Sequence, residues 1–158
     1  MKFSDFFCFK TIVAPLQAQD RDGAIKELIK SLDAKGCLGK DNAAKISRAV
    51  IKRENEASTG MGKTIAIPHV KHAAVKKPIA TIGQSEQGID FSALDKKLVH
   101  SVILLISPKD NTDLHLQAME KIFKHLQNDK FRSFLRQAAT SAQVADLLKE
   151  ADENPTLQ

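Results

Sequence analysis

The segment from Ser58 to His69, which reads Ser-Thr-Gly-Met-Gly-Lys-Thr-Ile-Ala-Ile-Pro-His, most constrains how this chain can fold. Its two glycines predict a turn, and the apolar residues 65–67 that follow predict a short strand. Pro68 has a fixed φ and no N–H to donate, so it closes that strand and sets His69 where a loop begins. A neutral imidazole held there is a candidate nucleophile or general base. The alternative is a solvent-facing loop histidine without a chemical task.

Residues 57–64 also fit a relaxed phosphate-binding loop of nucleotide-binding proteins, with Ala57 in place of the first glycine. That loop functions between a buried strand and a helix whose N-terminus receives the phosphates. Here the preceding residues 46–56 are charged and have a helical pattern, and Pro68 prevents a long helix from following. The flanks are therefore inverted, and the sequence argues against a nucleotide site.

Periodicity along the chain predicts alternating strands and helices. The predicted strands are residues 11–14, 65–67, 79–84 and 98–106; the predicted helices are 20–32, one that begins near Asp41 and carries Arg53 in its last turn, 113–127, 129–138 and 141–150. In the helix 113–127, the aligned apolar residues Leu116, Met119, Phe123 and Leu126 form the predicted buried face. This pattern predicts an α/β fold: a mixed parallel and antiparallel sheet of about five strands, flanked by helices on both faces. Residues 1–150 form one predicted domain, and residues 151–158 a flexible tail.

The composition argues against membrane insertion and against nucleic-acid binding. Of the 158 residues, 42% are hydrophobic and no apolar run is long enough to cross a membrane, so no membrane insertion is expected. The net charge of +5 comes from scattered lysines without a recognisable nucleic-acid-binding module, which disfavours nucleic acid as a partner. Cys8 and Cys37 lack metal-type spacing, and we expect buried or idle thiols in a reducing compartment, the cytoplasm.

Four other histidines are candidates for a catalytic or metal-binding role beside His69. His72 makes a His-x-x-His pair with it, but no carboxylate or cysteine cluster near in sequence supplies the further ligand that zinc requires. No metal or cofactor is therefore predicted. His100 lies in an apolar strand and is expected to be partly buried, whereas His125 lies on a helix and is expected to face solvent. His115, in the first turn of a helix, is either a ligand for an anion or part of a helix cap.

The chain resembles the enzyme IIA domain of the fructose–mannitol type in the bacterial phosphoenolpyruvate:sugar phosphotransferase system, a family that includes a nitrogen-regulatory branch. The resemblance rests on Arg53, on Ser58-Thr59-Gly60-x-Gly62 and on residues 65–69. It continues through residues 83–91, the strand 99–106 and the helix start at residues 111–116. It covers residues 2–149, nearly the whole chain.

The resemblance implies a phosphoryl relay. His69, through its Nε2 atom, would accept a phosphoryl group from the phosphorylated carrier protein HPr or its nitrogen-branch paralogue. His115 would be the second active-site histidine, and Arg53 together with the Ser58-Thr59-Gly60 turn would bind the phosphate. Val70 follows His69 where relatives often carry a small residue, and its β-branched side chain is expected to crowd an approaching partner.

Two downstream roles and one non-catalytic role stay open. The domain could pass its phosphoryl group to a cysteine of a IIB domain in sugar uptake, or it could be a regulatory protein that binds target proteins according to its phosphorylation state. No HPr, IIB or membrane IIC segment is fused to the chain, and this favours a free-standing nitrogen-regulatory protein. A binding module that kept the fold and lost the relay is the third possibility, although both histidines are present.

Overall fold

The structure is a computed structural model that describes residues 1–154. Within this range the chain forms five α-helices: α1 (Arg21–Ala34), α2 (Ala43–Glu56), α3 (Thr112–Leu126), α4 (Asp129–Gln137) and α5 (Ser141–Glu153). Asp20, Asn111, Asn128 and Thr140 cap four of them, because each side chain accepts a backbone N–H of the first turn. None of the helices in residues 1–154 is long and apolar enough to span a bilayer.

A single mixed sheet is built around its longest apolar strand. Its strands are β1 (Gly60–Gly62), β2 (Ile65–Ala66), β3 (His69–His72), β4 (Ile79–Ile89) and β5 (Val99–Pro108). Strand β5 is central: β4 pairs antiparallel with one edge, and the short strands β2 and β3 pair parallel with the other, one after the other. Strand β1 continues the sheet beyond β2.

Alternate residues of β5 point to two separate hydrophobic cores. Val102, Leu104 and Ile106 pack with α1 and α2, whereas Ile103 and Leu105 pack with α3, α4, α5 and the amino-terminal phenylalanines. A strand covered on both faces reads as a continuous apolar run, which is why residues 102–106 are all apolar. The predicted fold class, a mixed sheet with helices on both faces, is confirmed.

The predicted strand at residues 11–14 is wrong. Residues Phe9–Thr11 form a turn of 3-10 helix, and Val13 makes only an isolated bridge to Gly83 on the outer edge of β4. Pro15 has no N–H to continue a ladder. The Leu16 N–H still donates to the Gln84 carbonyl of β4 at 2.7 Å, and the Leu16 side chain packs so closely over Gly83 that an added Cβ there would lie 2.7 Å from it.

The predicted buried face of α3 is right at Leu126 and Met119, which pack in or against the core, and wrong at the other two positions. Leu116 is 57% exposed and Phe123 36% exposed, while the buried residues of α3 are His115, Ala118, Ile122, His125 and Leu126. Two of these inward positions hold histidines, so a prediction from apolar residues alone places the buried face of the helix about one residue away from its true position. His125, expected to face solvent, is fully buried.

Two predicted element ends differ from the structure. Strand β4 extends to Ile89, beyond the predicted end at residue 84, through a register irregularity after Gln84. Helix α5 extends to Glu153, so residues 151–153 of the predicted tail are helical. Residues 155–158 of that tail lie outside the described residues.

Candidate active site

His69 is the first residue of β3, not the first residue of a loop as predicted. Pro68 separates two short strands that use the same edge of β5: Ile65 is in register with Ser101, and His69 with Leu105. Because paired residues share a face, His69 lies on the α3 side of the sheet, as Leu105 does. The proline interrupts the edge, as its missing N–H requires, but the strand resumes at once.

The His69 ring is fixed by one hydrogen bond. Its Nδ1 lies 2.7 Å from the carbonyl oxygen of Ile67. A carbonyl only accepts, so Nδ1 carries the proton and the lone pair of the neutral ring resides on Nε2. The residue is partly exposed.

His115 lies beside His69. The ring centroids are 5.7 Å apart, with 36° between the ring planes. His115 is buried in the first turn of α3, and its Nδ1 lies 2.7 Å from the hydroxyl of Ser107 on β5. Burial, and then the neighbouring His69 and Lys71, lower the pKa of His115 below 6.5. The ring is therefore neutral at pH 7.

Lys71 adds positive charge to the same face. It is two residues beyond His69 on β3, so both side chains point to the α3 side, and it is in register with Ser107. Its charge acts on the pKa of His115. Val70, between them, points to the opposite face and packs against the core of α1 and α2. The expected crowding of a partner by Val70 is therefore wrong, since alternation along the strand turns it inward.

A buried carboxylate holds the segment before β1. Glu54, in the last turn of α2, is 2% exposed. Its two carboxylate oxygens accept the backbone N–H and the hydroxyl of Thr59, each at 2.6 Å. The Thr59 carbonyl in turn accepts the N–H of Ile67 at 3.3 Å. Hydrogen bonds thus connect Glu54, through Thr59 and Ile67, to the ring of His69.

Sequence reasoning missed Glu54, although a signal was present. Ile46, Val50 and Glu54 recur at intervals of four residues and all three are buried. A glutamate that continues an apolar helical stripe is an inward-facing charge, and such a charge needs partners.

The donors of the Ser58-Thr59-Gly60 turn are already paired within the chain. The Ser58 hydroxyl donates to the carbonyl of Phe91 and also accepts the N–H of Gly60 at 3.0 Å. An added Cβ at Gly60 would lie 2.8 Å from the Cβ of Ala93, so only glycine fits there. Phosphate binding by these three residues stays a prediction.

Arg53 is held at the carboxyl end of α2. One guanidinium nitrogen, Nη1, donates to the carbonyl of Ala57 at 2.9 Å, which satisfies a carbonyl at the helix end. The structure records no contact between Arg53 and either histidine.

The remaining histidines lie away from this pair. His72 is three residues from His69 on a strand, so the two side chains point to opposite faces, and its Nδ1 accepts the N–H of Ala74 at 3.0 Å. His100 is partly buried, as predicted, with Nδ1 at 2.8 Å from the Ser85 carbonyl. His125 packs against Phe3, at 4.7 Å between ring centroids.

The segment that resembles a nucleotide-binding loop has the inverted flanks that the sequence predicts. Helix α2 precedes it, and a tight hairpin from β1 to β2 follows. Lys63 and Thr64 occupy the two hairpin positions with φ of 58° and 66°. The Lys63 N–H donates to Asp95 at 3.1 Å, where a nucleotide-binding loop would present a helix N-terminus.

The fold and the paired histidines define the class of protein. Residues 6–151 match the family model described as phosphoenolpyruvate-dependent sugar phosphotransferase system, EIIA 2. The chain belongs to this family, and its relatives include a fructose-specific EIIA component and nitrogen regulatory proteins.

Particular relatives come from both branches. The chain is 34% identical over 134 residues to a fructose-specific EIIA component of Haloferax volcanii, covering 84% of this chain and 85% of that protein. It is 32% identical over 129 residues to a nitrogen regulatory protein of Klebsiella oxytoca, covering 81% and 78%. It is 29% identical over 153 residues to the fructose-specific EIIABC component of Bacillus subtilis, covering 97% of this chain but only 24% of that longer protein.

Solved structures show the same fold. Nitrogen regulatory protein IIA-Ntr from Neisseria meningitidis superimposes with a TM-score of 0.81 at 24% identity, covering 92% of this chain and 98% of that one. The mannitol enzyme IIA of Escherichia coli, solved in complex with phosphorylated enzyme IIB, superimposes with a TM-score of 0.74 at 19% identity, covering 91% and 99%.

Proposed function

We propose that this protein is a histidine phosphotransferase that accepts a phosphoryl group on Nε2 of His69. The observation that carries the proposal is the hydrogen bond from Nδ1 to the Ile67 carbonyl, because it leaves the lone pair of the neutral ring on Nε2. The donor is phospho-HPr or its nitrogen-branch paralogue, which presents its own phosphohistidine. The N–P bond of the donor breaks as a new N–P bond forms in line at His69.

The surrounding groups stabilise charge on the transferring phosphoryl group. In this proposal the Ser107 hydroxyl, 2.7 Å from Nδ1 of His115, donates to that nitrogen, so that the neutral ring carries its proton on Nε2 and donates it to a phosphoryl oxygen. Lys71 supplies positive charge on the same face of β3. We include Arg53 as a phosphate ligand, because the guanidinium has further N–H donors beside the Nη1 that bonds Ala57 and its planar geometry suits phosphate oxygens.

The test is phosphorylation by enzyme I, HPr and phosphoenolpyruvate. The protein should gain one phosphoryl group that is acid-labile and alkali-stable, as phosphohistidine is, and the His69→Ala variant should fold and gain none. His72→Ala is the matched control, since that histidine lies on the same strand and faces away, and it should accept the group normally. Phosphorylation of the His69→Ala variant would contradict the proposal.

For the downstream role we propose nitrogen-type regulation, in which the phosphorylation state of His69 controls binding to target proteins. The nitrogen regulatory relative, with 32% identity over most of both chains, supports it. The fructose-specific relatives favour a second role, transfer from His69 to a cysteine of a IIB domain. Membranes supplemented with this protein decide between the two. Phosphoenolpyruvate-dependent phosphorylation of fructose or mannitol that requires His69 would establish the transport role and refute the purely regulatory one.

A further inference from the structure

The two cysteines of the chain meet in space on the face of the sheet covered by α1 and α2. Cys8 and Cys37 are 29 residues apart in sequence, and their sulfur atoms lie 3.5 Å apart. Both are free thiols, and both side chains are partly exposed. A small oxidant can therefore reach them while the two sulfurs face each other.

Backbone hydrogen bonds hold both Cys8 and Cys37 in place. The Cys8 N–H donates to the Ala80 carbonyl of β4 at 2.9 Å. Cys37 follows the left-handed Gly36, φ 73°, at the end of α1, and its N–H donates to the Leu32 carbonyl at 3.1 Å.

A further bond holds α1 against the segment that carries Cys8. The hydroxyl of Ser31 donates to the carbonyl of Thr11 at 2.7 Å. We expect side-chain rotation to close the sulfur distance to about 2.05 Å while these hydrogen bonds stay in place.

We propose that Cys8 and Cys37 form a dithiol site that a hydroperoxide oxidises to an intramolecular disulfide and that a thiol reductant reopens. In the first step one of the two sulfurs attacks the peroxide. An S–O bond forms as the O–O bond breaks, that cysteine becomes a sulfenic acid, and its thiol proton leaves with the other peroxide oxygen as an alcohol or water. In the second step the other sulfur attacks the sulfenic sulfur, the S–O bond breaks, and the second thiol proton leaves with hydroxide as water.

The disulfide would link the amino-terminal segment, which hydrogen-bonds to β4, covalently to the connection between α1 and α2. Closing a loop of this length restricts the unfolded chain, and for a domain of this size it should raise the midpoint of thermal unfolding by about 5–10 °C. The hydrogen bonds that hold the backbones of Cys8 and Cys37 involve Ala80 and Leu32, neither of which takes part in the proposed phosphoryl transfer.

The experiment exposes the reduced full-length protein to hydrogen peroxide and follows its intact mass and its free thiols. The monomer should lose about 2 Da, and both cysteines should become resistant to alkylation. Peptide mapping should find Cys8 joined to Cys37, and dithiothreitol should restore both thiols and the lower unfolding midpoint. A folded monomer that keeps both thiols alkylatable, or that forms mainly intermolecular dimers, would overturn the proposal.

Two single variants test that each sulfur resolves the other. Cys8→Ser and Cys37→Ser should each lose the intramolecular disulfide and accumulate a sulfenic acid at the remaining cysteine that dimedone traps, because the resolving thiol is gone. If neither variant accumulates more trapped sulfenic acid than the parent, the proposed second step is refuted.

Discussion

Replacing Glu54 should weaken both the fold and phosphoryl transfer, because its carboxylate holds Thr59 and, through Thr59, the strand that carries the Ile67 carbonyl. Glu54→Ala removes two bonds of 2.6 Å to partly buried donors. A buried donor left without a partner costs about 1–3 kcal/mol, so the free energy of unfolding should fall by about 2–4 kcal/mol.

Glu54→Gln is the sharper change because it preserves shape. Its amide oxygen can accept the Thr59 N–H, and its NH₂ can donate to the Thr59 hydroxyl oxygen. Only the charge is lost, and neutral hydrogen bonds are about half as strong as charge-assisted ones. The free energy of unfolding should therefore fall by about 1–2 kcal/mol, which leaves the protein folded for kinetics.

Urea unfolding measures the stability of these variants, and rapid-quench kinetics with phospho-HPr measures transfer. Because the Thr59 carbonyl holds Ile67 and the Ile67 carbonyl orients His69, Glu54→Gln should slow transfer about tenfold with little change in donor binding. Glu56→Gln is the matched control, an exposed glutamate in the last turn of the same helix, and should change neither quantity. A Glu54→Gln protein as stable and as fast as the parent would refute the reasoning.

Three further outcomes are expected. His115→Ala should keep His69 as the acceptor and slow transfer on the order of 10²-fold, measured by rapid quench, since one donor to the phosphoryl oxygens is lost; a phosphoryl group found on His115 of the parent would reverse the two roles. Burial lowers the pKa of His125, so the unfolded chain takes up a proton before the folded protein does, and stability declines as pH falls below 6.5. His125→Phe should reduce this decline in urea unfolding measured between about pH 5 and 7, the range in which histidine titrates. A decline with the same slope in the variant would count against the prediction. Gly60→Ala should lower the midpoint of thermal unfolding, because its Cβ would meet Ala93 at 2.8 Å, whereas Ala57→Gly nearby should have a much smaller effect.

Much of the fold was predictable because its signals are local. The apolar run at 102–106 is continuous because β5 is covered on both faces, and the helix starts follow from capping side chains such as Asp20 and Asn111. The His69–His115 pair, by contrast, was predictable only through the resemblance to a family. No spacing rule brings together residues that are 46 positions apart, since their contact depends on the register of β3 with β5.

The errors lie where polar residues occupy inward positions. The apolar periodicity of α3 predicts a buried face that is displaced by about one residue, because His115 and His125 lie on the true buried face. The same reasoning did not identify Glu54 on the buried face of α2. Two of these three side chains belong to the hydrogen-bonded surroundings of the candidate site: His115 through Ser107, and Glu54 through Thr59. A buried polar group contributes stability only when it is paired, so the positions that mislead a count of apolar residues are also positions where specific partners are required.

Pro68 connects the local signal to the chemistry. Its missing N–H interrupts the edge of the sheet between β2 and β3, while its own carbonyl still accepts the N–H of Leu105 at 3.0 Å and keeps the chain on β5. At this break the Ile67 carbonyl accepts the Nδ1–H of His69. The residue that interrupts the strand thus lies next to the acceptor that selects the tautomer of His69, and the strand that resumes after it points that ring toward α3, where His115 lies.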